Sequence, residues 1–265
     1  MTGFVERYGP WAVVAGASEG IGASFSRKLA ARGMNVVLVA RRSAPLEKLA
    51  ADLRDEHGVE VKVQSLDLGS QDVVSGMTEA TASLDVGLMI YNAAYPPMGA
   101  FLDIDVEEHL KAVAINVQGP LRLSHYFGRR LAERGKGGII LMSSMGGFHG
   151  MAMFASYAAT KAYNTILAEG LWRELGRHGV DVLGCVAGPT LTPSYESVTE
   201  RIPTRGLARP MPPDDVAEQA LRDLGQRPIG ISGRRNRFAN ALLNRFLSRR
   251  SAIELVSKET ERLYG

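Results

Sequence analysis

Cysteine is nearly absent: Cys185 is alone among 265 residues, so no intrachain disulfide can form. It lies in the apolar run Val182–Val186, where a buried, inert thiol and a reducing compartment are the natural reading. No stretch of 18 apolar residues occurs, which argues against a membrane-spanning helix. The opening Met1-Thr2-Gly3-Phe4 lacks the basic and apolar character of a secretory leader. A cytoplasmic protein is expected. His57, His109, His125 and His178 show no metal-ligand spacing, so no catalytic metal is expected either.

What is present is ordinary in bulk and uneven in detail. The apolar share of 45% and charged share of 22% belong to a globular protein, and this length suits one α/β domain with a large core. The net charge of +3 hides an asymmetry. Arg227, Arg234, Arg235, Arg237, Arg245, Arg249 and Arg250 fall within 224–253, a segment with no Asp or Glu. Those arginines lack a nucleic-acid reading motif, and binding to nucleic acid is not expected.

Apolar strand-like runs alternate with helical stretches. Strands are predicted at 11–15, 35–40, 60–64, 87–91, 138–142, 181–186 and 228–231. Helices are predicted at 20–32, 44–57, 71–83, 106–134, 155–179 and 213–225. Strands apolar on both faces indicate a parallel sheet covered on both sides, a doubly wound α/β fold of seven strands flanked by helices. The reading is one domain over 1–265, with a core of about 8–232. A proline-rich loop lies within it at 190–215, and a basic amphipathic helical extension follows at 233–265. In that extension Phe238, Leu242, Leu243, Phe246 and Leu247 share a helical face.

Two motifs carry chemistry. Gly16-Ala17-Ser18-Glu19-Gly20-Ile21-Gly22 lies between a predicted strand and a predicted helix. Glycines there let backbone N–H groups approach a pyrophosphate at a helix N-terminus. No Gly-Lys-Ser/Thr follows, which excludes a P-loop. Read alone, such a turn needs only positive φ. The second motif is Tyr157 and Lys161, one helical turn apart, with Ser144 thirteen residues upstream. A neighbouring ammonium is expected to pull the phenol pKa down from its usual ~10, toward the range useful for proton transfer to a carbonyl.

With Asp67, the segment Tyr91-Asn92-Ala93-Ala94, Asn116 and the stretch Ala187-Gly188 with Thr192, these motifs fall in the order of the short-chain dehydrogenase/reductase family. The chain resembles that family from about Trp11 to Thr192. Tyr8-Gly9-Pro10-Trp11 and Arg32–Leu38 are most similar to its hydroxysteroid and long-chain 3-oxoacyl reductase branch. The resemblance implies catalytic roles for Asn116, Ser144, Tyr157 and Lys161, with Asn116 holding a water that relays protons from Lys161. The family usually has Thr at Ala15, Asn-Asn-Ala-Gly at 91–94 and Pro at Ala187.

The cofactor expected is NADP(H). After the second strand stand Ala40-Arg41-Arg42, with no carboxylate until Glu47, and a guanidinium suits a 2′-phosphate that a carboxylate would repel. The competing reading is that Arg41 and Arg42 begin a solvated helix. The expected cofactor contacts are Gly16, Ser18, Gly20, Ile21, Gly22, Arg41, Arg42, Asp67, Leu68, Asn92, Ala93, Tyr157, Lys161, Gly188, Thr190 and Thr192. Asp67 reads equally well as a helix cap before Ser70.

The expected reaction interconverts a ketone and a secondary alcohol on a hydrophobic substrate. The alternatives are a 3-oxoacyl (CoA or carrier-protein) reductase and a non-catalytic nucleotide-binding regulatory protein. Apolar loops support a hydrophobic substrate: Tyr95 to Met98 after the fourth strand, and Met145, Phe148, Met151, Met153 and Phe154 between Ser144 and Tyr157. His149 in that loop reads as a solvated residue. A homodimer or homotetramer is implied by analogy, through the long helices at 106–134 and 155–179. The basic extension could cover the substrate cleft, meet a partner subunit, or make peripheral contact with an anionic membrane through 234–250.

Overall fold

The computed structural model describes residues 2–197, 202 and 209–264. Its centre is a seven-stranded parallel sheet ordered β3-β2-β1-β4-β5-β6-β7. The strands are β1 (Trp11–Ala15), β2 (Asn35–Ala40), β3 (Val61–Ser65), β4 (Val86–Tyr91), β5 (Gly137–Ser144), β6 (Val180–Ala187) and β7 (Ile229–Ile231). Strand β1 pairs with β2 on one side and β4 on the other, so the strand order reverses there. That reversal opens a crevice at the carboxyl ends of the strands, where such sheets bind ligands.

The helices are α1 (Thr2–Tyr8), α2 (Gly20–Ala30), α3 (Ser43–His57), α4 (Val73–Thr81), α5 (Val106–Val113), α6 (Gly119–Arg134), α7 (Ala155–Gly176), α8 (Pro193–Glu196), α9 (Pro213–Asp223), α10 (Arg234–Phe246) and α11 (Arg249–Tyr264). Successive strand residues point to opposite faces, and each face has its own core. Val14, Leu38 and Ile90 pack with Phe25 and Leu29 of α2 and Leu46 of α3. Val13, Val37 and Met89 pack with Met77 of α4 and Leu123 and Phe127 of α6. Each fully buried side chain of this size stabilises the fold by about 1.5–3 kcal/mol, which explains why strand positions read correctly from apolar runs alone.

Three features depart from the expectations. Helix α1 was not anticipated; Tyr8 at its end donates to Asp181 Oδ2 at 2.6 Å, tying it beneath β6. The helix expected over 106–134 is interrupted by one wide, π-helical turn at Ala114–Gln118. The C-terminal extension is two helices, because Leu247 is extended (φ −109°, ψ 142°) and ends α10. The apolar face of α10 is turned to solvent, with Phe238 64% and Phe246 71% exposed. It is α11, and not α10, that returns to the body of the molecule.

Candidate active site

Ser144 is the last residue of β5 and Tyr157 lies in the first turn of α7, so a strand end and a helix start converge in the crevice. Lys161 follows one turn later, its Nζ 5.7 Å from the Tyr157 ring centroid. The same Nζ donates to the Met142 carbonyl at 2.9 Å. Ser143 Oγ donates to the Lys161 carbonyl at 2.8 Å and fastens α7 to β5. Ser143 is therefore structural, and Ser144 is the serine at the crevice. Its Oγ accepts from Gly146 N at 3.2 Å.

Burial sets the protonation of this trio. Lys161 is only 3% exposed, and desolvation draws its ammonium down to about 8. Desolvation pushes the Tyr157 phenol above its usual value, a hydrogen bond with Ser144 pulls it back, and nearby Tyr264 pushes it up. The expected net lowering of Tyr157 by its lysine is not found; loss of solvent raises the phenol instead. Ser144 is the group that favours the ionised phenol.

Asn116 sits inside the wide turn, fully buried. Its Oδ1 accepts from Tyr95 N at 2.7 Å, and its Nδ2 donates to Tyr95 O at 2.8 Å and Thr160 Oγ1 at 3.1 Å. Both ends of the amide are engaged in holding the 91–98 loop against α7. The backbone carbonyl of Asn116 accepts from Asn164 Nδ2 at 3.0 Å and keeps a second lone pair. A water relay at Asn116 would use that carbonyl or the second lone pair of Oδ1, which among the described residues accepts only from Tyr95 N.

The glycine turn is shaped by close approach. Gly16 has φ 89° and Gly20 φ 56°. A Cβ on Gly16 would stand 2.5 Å from Ala93 N, and one on Gly22 would collide with the Gly16 carbonyl. Asn92 Nδ2 donates to that carbonyl at 2.9 Å, so Asn92 and Ala93 brace the turn from β4. Ser18 and Ile21 are half-buried at the start of α2. A Cβ on Gly20 would lie 2.9 Å from Thr192 Cγ2, which brings the segment after β6 against the same turn. There Thr190 donates to Gly188 O at 2.9 Å, and Thr192 Oγ1 accepts from Tyr195 N at 3.2 Å. A cradle too tight for side chains, opening at a helix N-terminus, fits a dinucleotide pyrophosphate.

Arg41 and Arg42 are exposed at the end of β2. Arg42 Nη2 donates to Glu19 Oε2 at 2.5 Å, a pairing the sequence reading missed although Glu19 lies within the glycine turn. Asp67 is exposed and its Oδ1 accepts from Gly69 N at 3.0 Å, closing the turn toward α4, while Leu68 is buried. Asp67 is not the helix cap of the competing expectation: α4 begins at Val73, with Asp72 as its N-cap. On the substrate side, His149 is buried and not solvated as expected. Met153 takes φ +65°, the only non-glycine residue with positive φ among the described residues. Among the described residues no cluster of three or more His, Cys, Asp or Glu could hold a metal ion.

Fold and site together define an α/β dehydrogenase with a nicotinamide crevice. The sequence pattern of the short chain dehydrogenases matches residues 10–203, and the chain belongs to that family. It is an oxidoreductase acting on hydroxyl and keto groups. It is 35% identical over 234 residues to 7beta-hydroxysteroid dehydrogenase of Clostridium sardiniense, covering 88% of this chain and 89% of that one. It is 37% identical to very-long-chain 3-oxoacyl-CoA reductase of Podospora anserina, covering 66% of this chain and 53% of that one. The structure matches a solved 7beta-hydroxysteroid dehydrogenase with a TM-score of 0.89 at 32% identity, over 96% of this chain and 98% of the other. It also matches an NADPH complex of a short-chain dehydrogenase from Sphingobium yanoikuyae with a TM-score of 0.76 at 29% identity, covering 84% and 87%.

Proposed function

We propose that this protein is an NADP(H)-dependent reductase or dehydrogenase for a hydrophobic ketone/alcohol pair, with a steroid-sized substrate favoured. The convergence of Ser144, Tyr157 and Lys161 at the carboxyl end of β5 carries the reading. The named 7beta-hydroxysteroid dehydrogenases, which this chain parallels over most of its length, support the substrate size.

The glycine turn would hold the pyrophosphate, Arg41 and Arg42 the 2′-phosphate, and Asp67, Leu68, Asn92 and Ala93 the adenosine side. Gly188, Thr190 and Thr192 would border the nicotinamide. When bound, the nicotinamide supplies or takes up the hydride. Tyr157 would donate a proton to the carbonyl oxygen in reduction and accept it in oxidation. Ser144 would hydrogen-bond the same oxygen as negative charge develops on it. Lys161 would orient the ribose and, as a buried cation, assist loss of the phenol proton. Asn116 would fix the geometry of the loop beside them.

NADPH oxidation against graded ketones tests this reading. Tyr157→Phe is expected to abolish turnover while leaving NADPH binding intact, and full activity in that variant would refute the assigned acid. A preference for 3-oxoacyl thioesters in the same assay would favour the 3-oxoacyl reductase alternative.

Helices α5 and α7 expose Val106, Leu110, Ile166 and Trp172, which supports a homodimer or homotetramer through those faces. We propose a cytoplasmic setting; peripheral membrane contact through 234–250 is supported by the exposed Phe238, Leu242 and Phe246 beside arginines on α10. Among the described residues no helix is long and apolar enough to cross a membrane.

A further inference from the structure

Helix α11 is fastened to the loop that joins Ser144 to Tyr157. Arg249 Nη1 donates to the Phe148 carbonyl at 3.0 Å. Ser257 Oγ accepts from Ala152 N at 3.1 Å, and Thr260 Oγ1 donates to Ala152 O at 3.1 Å. Both backbone groups of Ala152 are thereby held by α11, from two residues on one helical face. The next residue is Met153, whose positive φ costs of order 1 kcal/mol or more in a non-glycine residue and persists only when its surroundings enforce it. Its carbonyl accepts from Gly99 N at 2.9 Å, so the strained residue is pinned between Ala152 and the loop after β4. At the end of α11, Tyr264 stands edge-on to Phe154 with centroids 5.1 Å apart. Phe154 in turn stands edge-on to Tyr157 at 6.1 Å.

We infer that Tyr264 is a specificity-determining residue, an aromatic wall beside Tyr157 that α11 holds by clamping Ala152, the residue before Met153. This deepens the ketone reductase reading and rests on it. A wall of this kind selects by size: its ring face is apolar, and a bulky alicyclic ketone reaching past Phe154 would pack on it, whereas a small ketone at Tyr157 would not. Proximity of Tyr264 also raises the Tyr157 phenol, so the hydroxyl leaves a second, separable mark.

The test compares the wild type with Tyr264→Ala and Tyr264→Phe on cyclohexanone and a steroid ketone, with NADPH affinity measured by fluorescence. Tyr264→Ala is expected to raise KM for the steroid relative to cyclohexanone about tenfold, the size of one lost aromatic contact, with NADPH affinity unchanged. Tyr264→Phe should restore that ratio yet shift the pH profile of alcohol oxidation to lower pH, because the influence raising Tyr157 is gone. An unchanged KM ratio in Tyr264→Ala overturns the wall. The clamp has its own readout: Ser257→Ala with Thr260→Val should speed amide exchange at 152–154, and unaltered protection there overturns it. If the wild type reduces neither ketone, the reductase reading fails instead, and the exchange experiment still decides the clamp.

Discussion

The Tyr91 hydroxyl donates a 2.6 Å hydrogen bond to the carbonyl of Ile115, the residue before Asn116. That carbonyl lies in the wide turn Ala114–Gln118, where the helical ladder changes register and leaves a carbonyl in need of a partner. Gly119 makes the contact possible, since a Cβ there would overlap the Tyr91 hydroxyl. Tyr91, which stands where the family usually has Asn, is thus a support for the segment that presents Asn116. Tyr91→Phe would leave the buried carbonyl without its donor at a cost of about 1–3 kcal/mol. Urea denaturation should show a lower midpoint with an unchanged slope; an unshifted midpoint would mean the carbonyl has another partner.

Much of this was legible beforehand because the governing signals are local. Apolar runs set the strands, and the glycine turn and the Tyr157–Lys161 spacing set the crevice and one helical face. What escaped notice depends on contacts distant in sequence. The carbonyl that the wide turn at Ala114–Gln118 leaves over is met by Tyr91, more than 20 residues upstream. The pairing of Arg42 with Glu19 joins two loops. The break at Leu247 sends α11 back over Ala152, whereas amphipathic periodicity alone suggested one continuous helix. Burial likewise decides the Tyr157 and Lys161 protonation, and no spacing rule reports how deeply a pair will be desolvated.

Glu19 competes for the guanidinium assigned to the 2′-phosphate. Arg42→Ala should raise KM for NADPH by roughly tenfold or more and leave NADH nearly unaffected, since a charge-assisted contact is worth about 1.5–3 kcal/mol. Glu19→Gln should do the reverse, lowering KM for NADPH by freeing Arg42 and removing a like charge. Parallel steady-state kinetics with both nucleotides measure this, and an equal effect of Arg42→Ala on the two would sink the assignment.

Close approach at the glycine turn distinguishes a binding defect from a folding one. Gly22→Ala forces its Cβ into the Gly16 carbonyl, so the cradle must open and NADPH affinity should fall by roughly 100-fold or more, a shift of about 3 kcal/mol. Gly58→Ala is the control: Gly58 has φ +65° and open space around a Cβ. It should cost about 1 kcal/mol of stability through strain alone and leave NADPH titration unchanged.

Lys161 trades stability for chemistry, and pH reveals the exchange. Burial holds its ammonium at about 8 in the fold, against ~10.4 in an unfolded chain. Below pH 8 both states carry the proton and the fold bears the whole cost of burying a cation, roughly 3 kcal/mol for that gap. As pH climbs from 8 toward 10.4 the folded lysine releases its proton first, and the penalty fades. Lys161→Met, which keeps the bulk and removes the charge, should therefore be inactive yet unfold at a higher temperature than the wild type at pH 7. Loss of the bond to the Met142 carbonyl takes back part of that gain. The difference in Tm should shrink as pH is raised through 8 to 10. Thermal unfolding of both proteins without nucleotide across that range measures it. A variant less stable at pH 7, or a difference that does not change with pH, would show that Lys161 is not desolvated in the folded protein.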